Sequence, residues 1–148
     1  MDHQGQQTEA FIGGLITRNV RLGKALTQAR ADRSRARFVI DLVAMATGVS
    51  APDILSGTRC HARAARARQV AMYLTYVAYS WPLARIGRAF GRDRTTAGYA
   101  CRLIEDLRDD RAFDARLCEL EACLASAPDP QAVNLATGFS RLAYAGKV

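Results

Sequence analysis

Apolar side chains in this sequence return every three or four residues, and nowhere do Val, Ile and Thr gather into an alternating run. A period near 3.6 builds helices, whereas a period of two builds half-buried strands. Ala, Arg and Leu dominate, and all three are strong helix formers. The expected fold class is therefore all-α, a compact helical bundle. With 148 residues there is enough chain for one domain with a real core plus tails.

The helices can be placed from their stops and starts. Residues 8–29 read as one helix with Phe11, Leu15, Leu22 and Leu26 on one side, although Gly13, Gly14 and Gly23 each weaken it by about 1 kcal/mol. Residues 34–47 read as a second, firmer helix. Ser34 is its expected N-cap, Phe38, Leu42 and Met45 its inward face, and Gly48 its C-terminal stop. Ser50, Pro52 and Asp53 announce a short helix that ends by Gly57. Residues 58–64 form an Arg-rich connection, and 65–79 a helix burying Val70, Tyr73, Leu74 and Val77. Ser80 is expected to cap the next helix, which carries Leu83, Ile86 and Phe90 and stops at Gly91. Asp93 then caps a helix with Ala100, Leu103, Ile104 and Leu107 inward. A last amphipathic helix spans 111–125 and is broken by the Ala127-Pro-Asp-Pro stretch.

Within this order, Trp81 to Arg102 has the form of a short helix, a tight turn and a second helix, a helix-turn-helix over about 82–108. Such a unit sets its second helix in the major groove of DNA with the first side chains of that helix at base edges. Arg94, Thr95 and Thr96 fall in that first turn. Arg reads guanine bidentately, and Thr offers a methyl to thymine and a hydroxyl to a base or phosphate. Gly87 is small where two helices must approach, and Gly98 would let the backbone come close to the groove.

Charge is distributed to match. The formal net charge is +7, a balance that suits a polyanionic partner. From Gly57 to Arg102 there are nine Arg and one acid, Asp93; from Arg18 to Arg37, seven basic residues against Asp32. From Leu103 to Glu121 the balance reverses to seven acids and three Arg. One face should attract phosphate and another repel it. Nothing in the chain assembles a catalytic set: the two His sit in a polar N-terminus and an Arg-rich loop, and the carboxylates between 105 and 121 are spaced like a solvated helix face. The four Cys include no C-x-x-C pair, so reduced thiols are expected, with Cys101, Cys118 and Cys123 as small buried residues. The N-terminal residues lack a secretory signal's basic start, and the longest uncharged run is too short for a membrane span, so a cytoplasmic, nucleoid-associated protein is expected.

Three segments taken together carry a family resemblance: Ala67-Arg-Gln-Val-Ala-Met-Tyr-Leu; Ile86-Gly-x-Ala-Phe-Gly-Arg-Asp-x-Thr-Thr; and Ala100-Cys-Arg-x-Ile-Glu. Over about residues 36–108 the chain resembles the C-terminal DNA-binding domain of the bacterial chromosomal replication initiator DnaA. The resemblance implies duplex binding at short asymmetric origin boxes, with an Arg-rich loop in the minor groove and the helix-turn-helix in the major groove. It implies DNA contacts for Arg68 and Gln69, for Leu83, and for Arg92, Asp93, Thr95 and Thr96. Arg94 stands where the family usually has a base-contacting His. Cys60 stands at the minor-groove Arg position, with Arg59 the nearest substitute, and Arg66 lies in the same basic stretch. Ala67 replaces a Pro, and the turn has one Gly, Gly91, where the family has two. These departures imply a box preference different from the initiator's.

The family's ATPase domain needs a phosphate-binding loop, and no G-x-x-x-x-G-K-[ST] occurs here. The expectation is a free-standing paralogue of the DNA-binding domain with no enzyme activity, no cofactor, no metal and no small-molecule substrate. Its segments would be an N-terminal extension over 1–33, the DNA-binding domain over 34–126 and a tail over 127–148. The expected function is sequence-specific double-stranded DNA binding that modulates replication initiation. Two alternatives are an adaptor that engages the initiator or its regulators, and a transcription regulator of another helix-turn-helix family.

Overall fold

The computed structural model describes residues 3–57 and 61–130. Six helices follow one another: α1 (His3–Thr47), α2 (Ala51–Leu55), α3 (Ala62–Tyr79), α4 (Leu83–Ala89), α5 (Arg94–Leu107) and α6 (Arg111–Ser126). No strand occurs among the described residues, as the apolar period requires. The chain divides into two units, residues 1–32 and 33–148.

The first unit is the N-terminal part of α1. Its large apolar residues are exposed, Phe11 most of all at 69%. Thr17 and Thr27 turn their hydroxyls back on the helix, donating to the carbonyls of Gly13 and Gly23. Ser34 is not an N-cap, because α1 does not begin there. The Ala- and Gln-containing turn ahead of it continues the helix, so the backbone N–H groups after Ser34 are satisfied within the helix.

The core of the second unit is centred on α3, which packs on α5, and residues of α1 are buried in it. Ala36, Val39, Ile40 and Val43 are the buried face of α1. This face is offset from the one expected: Phe38 and Leu42 are only half-buried, and Met45 is 78% exposed. Two registers of a helix fit the same apolar composition, and the one buried in the core carries the small and β-branched residues. Gly48 ends α1 at φ +70°, donating to the carbonyl of Ala44. Ser50 then caps α2, its hydroxyl accepting from Asp53 N at 3.2 Å.

Helix α3 is the central element. Val70, Ala71, Leu74 and Thr75 are buried, whereas Val77 is 44% exposed. Thr75 lies inside because its hydroxyl donates to the Ala71 carbonyl at 2.8 Å. Ser80 closes α3 instead of opening α4: it adopts φ +51°, and its N–H donates to Tyr76 O. That left-handed residue reverses the chain so that Trp81 enters the core, stacked on Tyr79 at 5.2 Å with the Arg85 guanidinium 4.3 Å above it. The cap position of α4 falls to Pro82.

Helix α6 packs on α3 through Leu117, with Phe113, Leu120 and Leu124 partly buried. Cys101 is buried, and burial pushes its thiol up to about 11. Cys118 and Cys123 are exposed, contrary to expectation, because they lie off the Leu117–Leu120–Leu124 stripe that faces α3. Two of the acidic residues also leave the solvated face. Arg108 binds Asp114 at 2.6 Å, Glu121 at 2.7 Å and the Tyr73 hydroxyl at 2.9 Å, tying the end of α5 to α6 and α3. These acceptors hold the guanidinium in its charged form. Removing it strands three polar partners, so Arg108→Ala should lower stability by about 2 kcal/mol. Thermal unfolding would show a drop of roughly 8 °C or more, and an unchanged transition would mean that the cluster contributes nothing net. Past α6, Asp129 returns to α1 as a bidentate partner of Arg35, at 2.6 and 3.1 Å.

Candidate nucleic-acid interface

The α4–turn–α5 unit is built around two short backbone approaches. At the end of α4 the Arg92 N–H reaches back to Gly87 O at 2.7 Å and the Gly91 N–H to Arg88 O at 3.3 Å. This crossed pair is the Schellman ending, and it needs one left-handed residue after the cap. Gly91 supplies it at φ +63°. A single glycine therefore closes the turn, and the second one expected from the resemblance is not required.

The returning chain then passes directly over Gly87. A Cβ at that position would lie 2.7 Å from Arg92 O and 2.8 Å from the Asp93 carbonyl carbon and oxygen. Only a glycine allows the backbone of the turn to rest on α4. Gly98 has a different role from the one expected. It is buried, and a Cβ there would meet Leu83 Cδ1 at 3.3 Å, so it faces α4 and not a groove.

Asp93 opens α5. Its Oδ1 accepts from Thr96 N at 2.6 Å, and the backbone hydrogen bonds from Thr96 and Thr95 hold its carboxyl below the usual range. An acid at this place in a basic surface is thus occupied with the helix's own free N–H groups. Arg94, Thr95 and Thr96 follow it, all exposed in the first turn. Tyr99, 56% exposed, and the exposed Arg102 continue from Thr95 at i+4 and i+7. These two were missed in the sequence, although their helical spacing from Thr95 was there to be read.

The remaining predicted contacts divide. Arg66 is exposed on α3. Arg68 is half-buried and donates to the carbonyls of Ile54 at 2.6 Å and Asp53 at 3.3 Å. Arg92, also half-buried, donates to the carbonyl of Ser56. Both guanidiniums therefore converge on the C-terminal end of α2, where the last carbonyls have no i+4 partner within the helix. The Gln69 Oε1 is buried with no hydrogen-bond partner among the described residues. Leu83 is half-buried against the core beside Gly98. Arg59, with its neighbour Cys60, lies outside the described residues. Thus Arg94, Thr95 and Thr96 share one exposed turn, while Arg68 and Arg92 meet at α2.

No group of His, Cys, Asp and Glu among the described residues has the arrangement of a metal site, and no described helix is long and apolar enough to cross a membrane.

Residues 36–104 match the family model for the bacterial DnaA protein helix-turn-helix. The chain is 39% identical over 100 residues to the chromosomal replication initiator protein DnaA of Bartonella quintana, a match covering 67% of this chain and 20% of that protein. The corresponding protein of Mesorhizobium japonicum is 40% identical over 87 residues, 58% of this chain and 18% of that one. The chain thus spans about a fifth of the length of these curated relatives. Among solved structures, a crystal structure of a DNA replication initiation factor superposes with a TM-score of 0.60 at 29% identity, over 79% of this chain and 36% of that one. A replication initiator DnaA bound to AMPPCP and single-stranded DNA gives 0.58 at 33% identity, over 68% and 30%.

Proposed function

We propose, from the match of residues 36–104 to the family model for the bacterial DnaA protein helix-turn-helix, that the chain binds double-stranded DNA sequence-specifically at origin-type boxes. By that binding it modulates the initiation of chromosome replication. The observation that carries the reading is the exposed first turn of α5. Arg94, Thr95 and Thr96 project from a helix start locked by the Asp93 cap and the Gly87 crossing. A rigid start matters, because base readout needs donors and acceptors placed to a fraction of an ångström before contact.

In this reading Arg94 and Thr95 meet base edges, and Thr96 meets a base or the flanking phosphate. Arg66, Arg88 and Arg102, all exposed, supply phosphate contacts that fix register. Arg68 and Arg92 hold the C-terminal end of α2 in place. Leu83 supports the start of α5 from beneath Gly98. The mechanism is occupancy of a site, with no nucleotide hydrolysis in it.

Selection from a randomised duplex library tests this. The expected result is enrichment of one asymmetric motif, bound about 1,000-fold or more tighter than scrambled duplex at physiological salt. Affinity should fall linearly in log–log with salt, reporting released counterions. Equal affinity for selected and scrambled duplexes would overturn the sequence-specific reading.

A further inference from the structure

The N-terminal part of α1 has an apolar face that nothing among the described residues covers. Phe11, Leu15, Leu22 and Leu26 fall within about 60° of one another around the helix, and Ile12, Ile16 and Val20 widen the band to about half the circumference. All seven are between 41% and 69% exposed. Arg18, Arg21 and Lys24 lie on the other half. Single exposed apolar residues need no explanation, but a contiguous band of this length marks a binding surface.

One residue says what covers it. Asn19 sits in the middle of the band, both around the helix and along it. A carboxamide there is costly against lipid tails or a purely apolar groove, because it loses its hydrogen bonds with water and finds no replacement. Against another carboxamide it is self-complementary, since each amide offers a donor and an acceptor. A two-fold axis through the middle of the band brings two Asn19 side chains together. A lone Asn in an apolar helix seam is a known way of setting register and limiting assembly to two strands.

We propose that residues 11–26 of α1 pair with the same segment of a second copy of this chain, with Asn19 facing the partner's Asn19. The basic half of each helix remains in water. Pairing through α1 would tether two α5 reading turns, so that duplexes with two sites gain affinity through effective concentration. The proposal stands apart from the DNA reading, because residues 11–26 lie outside the family match at 36–104.

The experiment is sedimentation equilibrium of the full chain at micromolar concentration. The expected mass is twice 16.1 kDa. Leu15→Glu with Leu22→Glu should weaken self-association by more than about 100-fold, since each places a charge in an apolar seam. Binding to a duplex with a single site should be unchanged in that variant, which shows that the domain still folds. Asn19→Leu should remain associated but lose the limit of two, giving larger species. A monomeric wild type would overturn the proposal, and so would a dimer indifferent to the Leu15 and Leu22 substitutions. If the wild type is a monomer that floats with phosphatidylglycerol vesicles, and the double variant does not, the occupant of the band is a membrane surface.

Discussion

Gly87→Ala should cost the protein both stability and DNA binding. The added methyl would lie 2.7–2.8 Å from the backbone of Arg92 and Asp93. Backbone cannot rotate away as a side-chain end can, so the turn must lift off α4. Overpacking of this kind costs about 1–3 kcal/mol, which lowers the unfolding temperature of a domain this size by roughly 4–8 °C per kcal/mol. The functional loss should exceed the stability loss. Lifting the turn breaks the Arg92-to-Gly87 hydrogen bond and reorients Asp93, and with it the first turn of α5. Duplex affinity should therefore fall by about 100-fold even below the unfolding temperature, as expected when a contact set is displaced by about 1 Å. Gly98→Ala is the matched control. Its methyl meets only side-chain ends, Leu83 Cδ1 at 3.3 Å and Arg102 Nη1 at 3.5 Å, and alanine is the better helix former by about 1 kcal/mol. That variant should keep its stability and its affinity. A Gly87→Ala protein with unchanged melting and unchanged binding would mean that the crossing at Gly87 does not position α5.

Arg94→Ala and Thr95→Ala should each cost about 1–3 kcal/mol against the preferred duplex and much less against scrambled duplex. The signature is a fall in the ratio of the two affinities. Arg66→Ala should do the reverse, weakening all duplexes alike and reducing the salt slope by about 1. Arg68→Ala and Arg92→Ala belong to neither class. Their guanidiniums hold the carbonyls at the end of α2, so unfolding measurements should register them before binding does. Arg94→His, which restores the residue usual in the family, should move base preference at one position while leaving stability unchanged. If Arg94→Ala and Thr95→Ala weaken preferred and scrambled duplexes equally, the first turn of α5 reads phosphate and not sequence.

The turn was the most legible part of the molecule. Gly91 and Asp93 do what their positions in the sequence announce, because a left-handed closure and a helix N-cap are local problems with few chemical solutions. Caps that depend on where a helix begins were read less well. Ser34 and Ser80 both have the right chemistry for an N-cap. One lies inside a continuous helix, and the other ends the helix before it. The inward face of α1 was displaced for a related reason. Phe38 and Met45 are as apolar as Val39 and Val43, and only the rest of the core, assembled from distant parts of the chain, decides which set is buried.

What the amino-acid sequence determined by itself was the helical period, the position of the helix-turn-helix, the basic middle of the chain and the cap of α5. Each rests on interactions between residues a few positions apart. What only the tertiary structure decided was the use of each arginine. Arg68, Arg92, Arg94 and Arg108 look alike in a sequence. One is left exposed at the start of α5, two are spent on the carbonyls of α2 and one joins α5 to α6 and α3. Carbonyls and carboxylates brought together from distant parts of the chain make that assignment, and a sequence does not record which of them will be close.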